Sequence, residues 1–452
     1  MAAVVVVIAL AVAVPEAQAI PVWSRKYKTS CATCHEVYPR LNAVGESFRL
    51  NGYKFSDEET LRKEDPVVMG QEAYKKVWPD SIWPSDIPGL PPFALRVISD
   101  YNMDIGGTKD ARSQFEYPHE IELFTAGSMG DQISFLVELE FENEDDEWGT
   151  AAAGWIQFED IVGSPNVFNA RIGSMGMQEF GLLTARDHNR FTKEHYLYVN
   201  SRLPYPGGFD TKNTYRGRDE QPGIEINGFG DRWRYAVGVV NGGGNEDSNS
   251  EKDFYLQLTY KLTGLGFDGS GGEKSKELGA SGKGIWRDDS VILGLFGYRG
   301  TAVVNATGDD ADMEEDNFWR FGPGIQWKYQ DFTGNIGMMW GDNDDPYGTL
   351  SDDSVDSMSW FVEGSYFIYP WLVPTLRHET VSYDLPNDLA GLQEEQDKSQ
   401  LVASVKALIR ANVSLTLEGR FATKHEKYTK DDDDATEKND DDLVSVRLDF
   451  AF

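Results

Sequence analysis

From about residue 93 onward, apolar and polar residues alternate in segments of roughly ten, separated by Gly-, Asp- and Asn-rich stretches. Successive side chains of a strand point to opposite faces, so a period of two predicts strands and excludes amphipathic helices. In Leu443 to Phe452, one face carries Val444, Val446, Leu448, Phe450 and Phe452, and the other Ser445, Arg447, Asp449 and Ala451. Asn412 to Phe421 sets Val413, Leu415, Leu417 and Phe421 against Ser414, Thr416, Glu418 and Arg420. Ile133 to Glu142 and Asp253 to Leu262 repeat the pattern, with Phe135, Leu139, Phe254 and Leu258 on their apolar faces.

About sixteen such segments follow one another. They lie near 93–104, 117–127, 132–142, 149–160, 166–174, 222–230, 232–241, 252–262, 290–300, 315–329, 331–341, 355–367, 371–383, 399–409, 411–423 and 442–452. A soluble sandwich shows the same period. Here, however, the polar face is dense in charge and the apolar face rich in aromatics, which suits lipid outside and water inside. The fold expected is therefore all-β: an antiparallel outer-membrane β-barrel of about sixteen strands. An even strand count puts both chain ends on the periplasmic side, with short turns there and long loops outside. Most connections obey this alternation. The glycine-rich stretch 263–289 is long where parity calls for a short turn.

The first residues read differently. Ala2 to Val14 is an unbroken apolar run and Ala17-Gln18-Ala19 a small-x-small cleavage site, so 1–19 is expected to be an export signal, although no Lys or Arg precedes the run. Residues 20–92 form a separate, mainly helical module and linker: Leu41, Val44 and Phe48 have helical spacing, and Trp83 to Pro92 is proline-rich. Residues 93–452 form the barrel. Its lumen has room for a small folded plug, and 20–92 is of suitable size.

Charge then narrows the partners. Acidic residues outnumber basic ones by 75 to 42, for a net charge of −33. Such a surface excludes nucleic acid and favours cationic partners. Parity places Glu142 to Glu147, Asp309 to Asp316, Asp342 to Asp345 and the run Asp431, Asp432, Asp433 and Asp434 outside the cell. These clusters are either solvated, cation-bridged loops or a mouth that concentrates cations by electrostatic focusing.

The chain has two cysteines, in Cys31-Ala32-Thr33-Cys34-His35. Cys-x-x-Cys-His is the pattern of c-type haem attachment: two thiols reach the two vinyl groups of a porphyrin, and the adjacent imidazole ligates the iron. A thioredoxin-type dithiol needs a βαβ surrounding that is lacking, and structural zinc needs two further ligands close by. One covalent c-type haem is therefore the expected cofactor. Its sixth ligand is open: Met69, Met175, Met177, His188 and His195 are candidates, as is an open or water-bound position.

Trp23 to His35, Pro39-Arg40-Leu41-Asn42-Ala43-Val44-Gly45, Phe48 and Asn51-Gly52-Tyr53 together resemble the N-terminal module of the fused outer-membrane cytochrome–porins, whose best-known members are iron oxidases. The resemblance implies thioether bonds at Cys31 and Cys34, axial ligation by His35, and a sixteen-stranded barrel behind the module. It also implies electron transfer between an extracellular donor, Fe(II) first among them, and a periplasmic c-type cytochrome. The alternatives are electron export, a diffusion porin with an accessory haem, and a haem enzyme acting on a small molecule such as peroxide. Arg171 to Thr192 is similar to a loop that recurs in these barrels, with no chemistry assigned.

Overall fold

The computed structural model describes residues 22–53 except 28 and 30. In 93–451 it describes all but 107–112, 129–131, 145–146, 164, 177–189, 194–202, 206–208, 216, 218–219, 243–246, 269–287, 306–312, 387–396, 425–427, 430–435 and 438–441. Sixteen antiparallel strands close into a barrel. They are β1 (Phe93–Asp104), β2 (Ser113–Ser128), β3 (Ile133–Glu144), β4 (Glu147–Phe158), β5 (Asn169–Gly176), β6 (Glu220–Phe229), β7 (Trp233–Val240) and β8 (Asp253–Lys261). Then come β9 (Ser290–Asn305), β10 (Glu314–Tyr329), β11 (Phe332–Asn343), β12 (Val355–Tyr366), β13 (Leu372–Tyr383), β14 (Asp397–Arg410), β15 (Val413–Lys424) and β16 (Leu443–Ala451). The last strand pairs with the first, from Leu443↔Asp104 to Ala451↔Arg96, which leaves no open sheet edge.

Each expected segment overlaps one strand. Two strands run longer than their alternation shows. β2 begins at Ser113 because Ser113 to Glu116 pair with Met103 to Asp100 at the rim. β9 reaches Asn305 because its end pairs with β10 and also with the short strand Asp210–Lys212.

Burial distinguishes this barrel from a soluble β-protein. In β8, Asp253, Tyr255, Gln257, Thr259 and Lys261 are buried, while Phe254, Leu256, Leu258 and Tyr260 are exposed. Apolar side chains face outward around the whole ring, among them Leu139, Ile172, Val237, Ile336, Leu376 and Leu417. Aromatics flank them at both rims: Phe115, Tyr117, Trp148 and Trp319 at the long-loop end, and Tyr329, Tyr366, Tyr369 and Trp371 at the short-turn end. An apolar band between two aromatic girdles is the exterior of a membrane-spanning barrel. No described helix is long and apolar enough to cross a membrane.

Inside, residues 22–53 pack against the turn end. Helix α1 (Val22–Tyr27) is followed by a tight turn at Cys31–Thr33, a hairpin pairing His35–Val37 with Arg40–Leu41, and helix α2 (Ala43–Leu50). Trp23 and Tyr53 join Ala126, Leu136 and Trp155 of β2–β4. Half a ring away, Val37 clusters with Phe367, Val373 and Leu408, beside β12–β14. Leu50 meets Phe229, Ile292 and Phe267. Phe267 belongs to the described start of the connection between β8 and β9, so that part of the connection packs against this segment.

Candidate functional site

The Cys31-to-His35 stretch is built as a rigid turn. Cys34 N donates to the Cys31 carbonyl at 3.1 Å, and the Thr29 and Thr33 hydroxyls lie 2.6 Å apart. Both cysteines are unbridged and half-buried. Burial, with the neighbouring Cys31 adding to it, pushes the Cys34 thiol up to about 11. His35 opens the hairpin with its Nδ1 2.8 Å from the Pro39 carbonyl oxygen. A carbonyl oxygen can only accept, so that contact makes Nδ1 the donor and puts the lone pair on Nε2, the tautomer in which a ligating imidazole is held. Burial also lowers the affinity of His35 for a second proton, which favours the neutral, ligating form.

Asn42 ties this turn to the helix behind it. Its Nδ2 donates to the Ala32 and Thr33 carbonyls at 3.2 and 3.1 Å. Its Oδ1 caps α2 by accepting from Val44 N and Gly45 N at 3.0 and 2.9 Å. The helix lies flush on the turn, so a Cβ at Gly45 would stand 2.1 Å from the Cys34 carbonyl oxygen. Gly52 has φ +66, and a Cβ there would stand 2.1 Å from Glu159 Oε1 of the barrel wall. Only glycine combines that backbone with so close an approach. Tyr53, next in the chain, stacks on Trp23 at 4.9 Å and on Trp155 at 6.2 Å.

Two buried donors of the segment, Trp23 Nε1 and Arg40 Nη1, have no hydrogen-bond partner among the described residues. Two adjacent thiols, an imidazole oriented to ligate through Nε2, and buried donors suited to carboxylates form a donor set that fits a c-type haem. Of the sixth-ligand candidates, Met175 lies near the loop end of β5, buried in a cluster with Tyr215, Tyr255, Tyr298, Phe318 and Met339. His35 belongs to the segment at the opposite rim, so the fold does not bring the two together. Met69, Met177, His188, His195 and the Asp431, Asp432, Asp433 and Asp434 run lie outside the described residues.

The lumen carries features the sequence pattern did not reveal. On β2 and β3, lumen-facing glutamates stand directly opposite one another: Glu120 against Glu142 and Glu122 against Glu140. Like charges so placed are unfavourable unless compensated. Arg96 supplies part of the compensation, bridging Glu122 at 3.0 Å and Asp449 at 2.7 Å. Asp100, Glu116 and His119 also converge, with possible ligand atoms within 4.8 Å. Arg447 and Lys193 already hold Asp100, at 2.8 and 2.7 Å, so that carboxylate is neutralised without a metal.

Lys193 comes from the long connection between β5 and β6, part of which folds inward. Its backbone N donates to Glu418 Oε2 at 2.7 Å, Thr192 accepts from Arg377, and Phe191 descends to the N-terminal segment. The Phe191 ring packs edge-on against Phe367 at 5.4 Å, and the Arg40 guanidinium lies 4.1 Å over it. Arg190 to Lys193 thus form an internal strap.

The fold and its inside-out burial define a porin-like membrane barrel channel. No protein-family model and no curated sequence matches the chain. Among solved structures, it is similar to the outer membrane channel DcaP of Acinetobacter baumannii, at 13% identity and a TM-score of 0.49, over 80% of this chain and 96% of that one. It is also similar to OmpT, an outer membrane protein of Vibrio cholerae, in a loop-deleted form, at 10% identity and 0.48, over 80% and 99%. The anion-selective porin from Comamonas acidovorans aligns at 10% and 0.45, over 80% and 98%.

Proposed function

We propose that this protein is an outer-membrane cytochrome–porin fusion that passes electrons between an extracellular donor, Fe(II) in the first instance, and a periplasmic c-type cytochrome. One covalent haem would be held by thioether bonds to Cys31 and Cys34 and by His35 as axial ligand. The group supplies reversible one-electron chemistry when bound. The observation that carries this proposal is the His35 hairpin: Nδ1 is committed to the Pro39 carbonyl, Nε2 is left to ligate, and two unbridged thiols precede it.

The remaining residues support the same function. Residues 22–53 touch strands on opposite sides of the lumen at the turn end, which the parity of the loops assigns to the periplasm. A module so placed is within reach of a carrier that docks at the base. The apolar band of such a barrel is about 25 Å tall, longer than one porphyrin. The donor must therefore enter the lumen, where Glu116, Glu120, Glu138, Glu140 and Glu142 favour a cation. The acidic loops, Asp431 to Asp434 among them, would raise its concentration at the mouth. The sixteen-stranded porin-like barrel also supports the second reading, a diffusion porin with an accessory haem, which ion conductance through the lumen would test.

The test is to purify the full chain in detergent, assay covalent haem as the pyridine haemochrome, and mix it anaerobically with Fe(II) in a stopped-flow spectrometer. Reduction of the haem bands at a rate that rises with Fe(II) is expected. Reduction by a periplasmic cytochrome but not by Fe(II) would assign the opposite direction of flow. A chain without covalent haem would end the proposal.

A further inference from the structure

The hairpin that presents His35 also holds a buried cluster of three charges, two positive and one negative, among the described residues. Glu36 lies between two cations. Arg40 Nε approaches its Oε2 at 3.2 Å, and Lys328 of β10 pairs with its Oε1. The side chains of Arg40, Glu36 and Lys328 are 2%, 1% and 11% exposed, so all three charges are largely withdrawn from water. One carboxylate between two cations leaves the trio with an excess positive charge. Arg40 Nη1 is buried and has no acceptor among the described residues. An unmatched buried charge and an unmatched buried donor are each costly, and here they coincide on one guanidinium.

The guanidinium is held in place. It lies 4.1 Å over the Phe191 ring, a cation–π contact that fixes its plane while covering one face. Phe191 in turn packs with Val37, Phe367 and Val373, and the two residues that follow it are tied to Arg377, Glu418 and Asp100. A planar fork with one edge turned to Glu36 and a free N–H elsewhere matches a second carboxylate. Arg40 also directly follows Pro39, whose carbonyl orients His35. A haem attached at Cys31 and Cys34 brings two carboxylates of its own, the propionates.

From these contacts we infer that Arg40 is the anchor for a haem propionate, with Phe191 as the residue that positions it. This inference rests on the proposed haem, and its role is to neutralise the trio of Glu36, Arg40 and Lys328. A cation held at a propionate stabilises the reduced, less positive haem, so its loss lowers the midpoint potential.

The experiment uses the full-length, haem-loaded protein and its Arg40→Leu, Arg40→Lys and Phe191→Ala variants. Covalent haem is counted by pyridine haemochrome, the midpoint potential is read by spectroelectrochemistry, and the propionates are followed by redox-difference infrared spectroscopy with isotope-labelled haem. Arg40→Leu is expected to keep its haem, shift the potential downward and move the propionate band. Phe191→Ala should shift both in the same direction but less, and Arg40→Lys should recover most of the potential without the original band. Unchanged potential and band in haem-loaded Arg40→Leu would overturn the anchor and leave the electron-transfer proposal standing. If Arg40→Leu does not assemble, an unmoved band in Arg40→Lys overturns the anchor equally. A wild-type chain lacking covalent haem overturns both.

Discussion

Asn42 shows how much one side chain can organise. Its carboxamide donates to two carbonyls of the cysteine turn and accepts from two amides at the start of α2, so turn and helix are oriented together. Loss of an N-cap costs about 0.5–2 kcal/mol, and each unpaired buried carbonyl adds to it. Asn42→Ala should therefore reduce covalent haem per chain severalfold while the barrel still assembles. Haem staining against heat-modifiable mobility in gels measures both quantities on the same sample, and undiminished haem would rule out this role. The motif around Asn42 was legible in the sequence as a resemblance. The reasons for its residues were not, because they lie in contacts such as that of Gly45 with the Cys34 carbonyl.

At the scale of elements, the barrel is closed by backbone pairing between β16 and β1, and buried charges reinforce that seam. Arg96 of β1 joins Glu122 of β2 to Asp449 of β16, and Arg447 of β16 returns to Asp100 of β1. Removing one partner of a buried ion pair costs on the order of 3–5 kcal/mol, whereas an exposed pair contributes about 1 kcal/mol or less. Arg96→Leu should lower the temperature at which the barrel unfolds in detergent. Lys212→Ala, which removes an exposed pair with Asp210, should leave it unchanged. Equal unfolding temperatures for the two variants would mean that hydrogen bonding alone secures the seam. Alternation read as a closed barrel implies that β1 and β16 meet, and it could not give their register or the charges across the seam. Arg96 and Asp449 are 353 positions apart in the chain.

For the whole molecule, the decisive feature is that the lumen is entered from both ends, by residues 22–53 at the turn end and by the 190–193 strap from the loop end. Planar-bilayer recordings should show a much lower ion conductance for the full chain than for one lacking residues 20–92. Equal conductance would mean that the N-terminal segment does not obstruct the barrel. The mouth is open to test in the same preparation. Replacing Asp431, Asp432, Asp433 and Asp434 with Asn should raise the apparent Michaelis constant for Fe(II) at low ionic strength and have little effect at high salt, where the field is screened. Insensitivity at both salt concentrations would return these residues to the role of a solvated loop.

The amino-acid sequence by itself determined the strands, their number, the direction in which each face points, the helix after Asn42 and the thiol–imidazole motif. All of these are local: a period of two, a helical spacing or a five-residue motif is written in neighbouring positions. Only the tertiary structure decided which residues enter the lumen, and which partners hold Glu36, Arg40 and Phe191. Those partners stand far apart in the chain, Glu36 and Lys328 by 292 positions. Closure of the barrel, and no pattern along it, brings them within reach of one another.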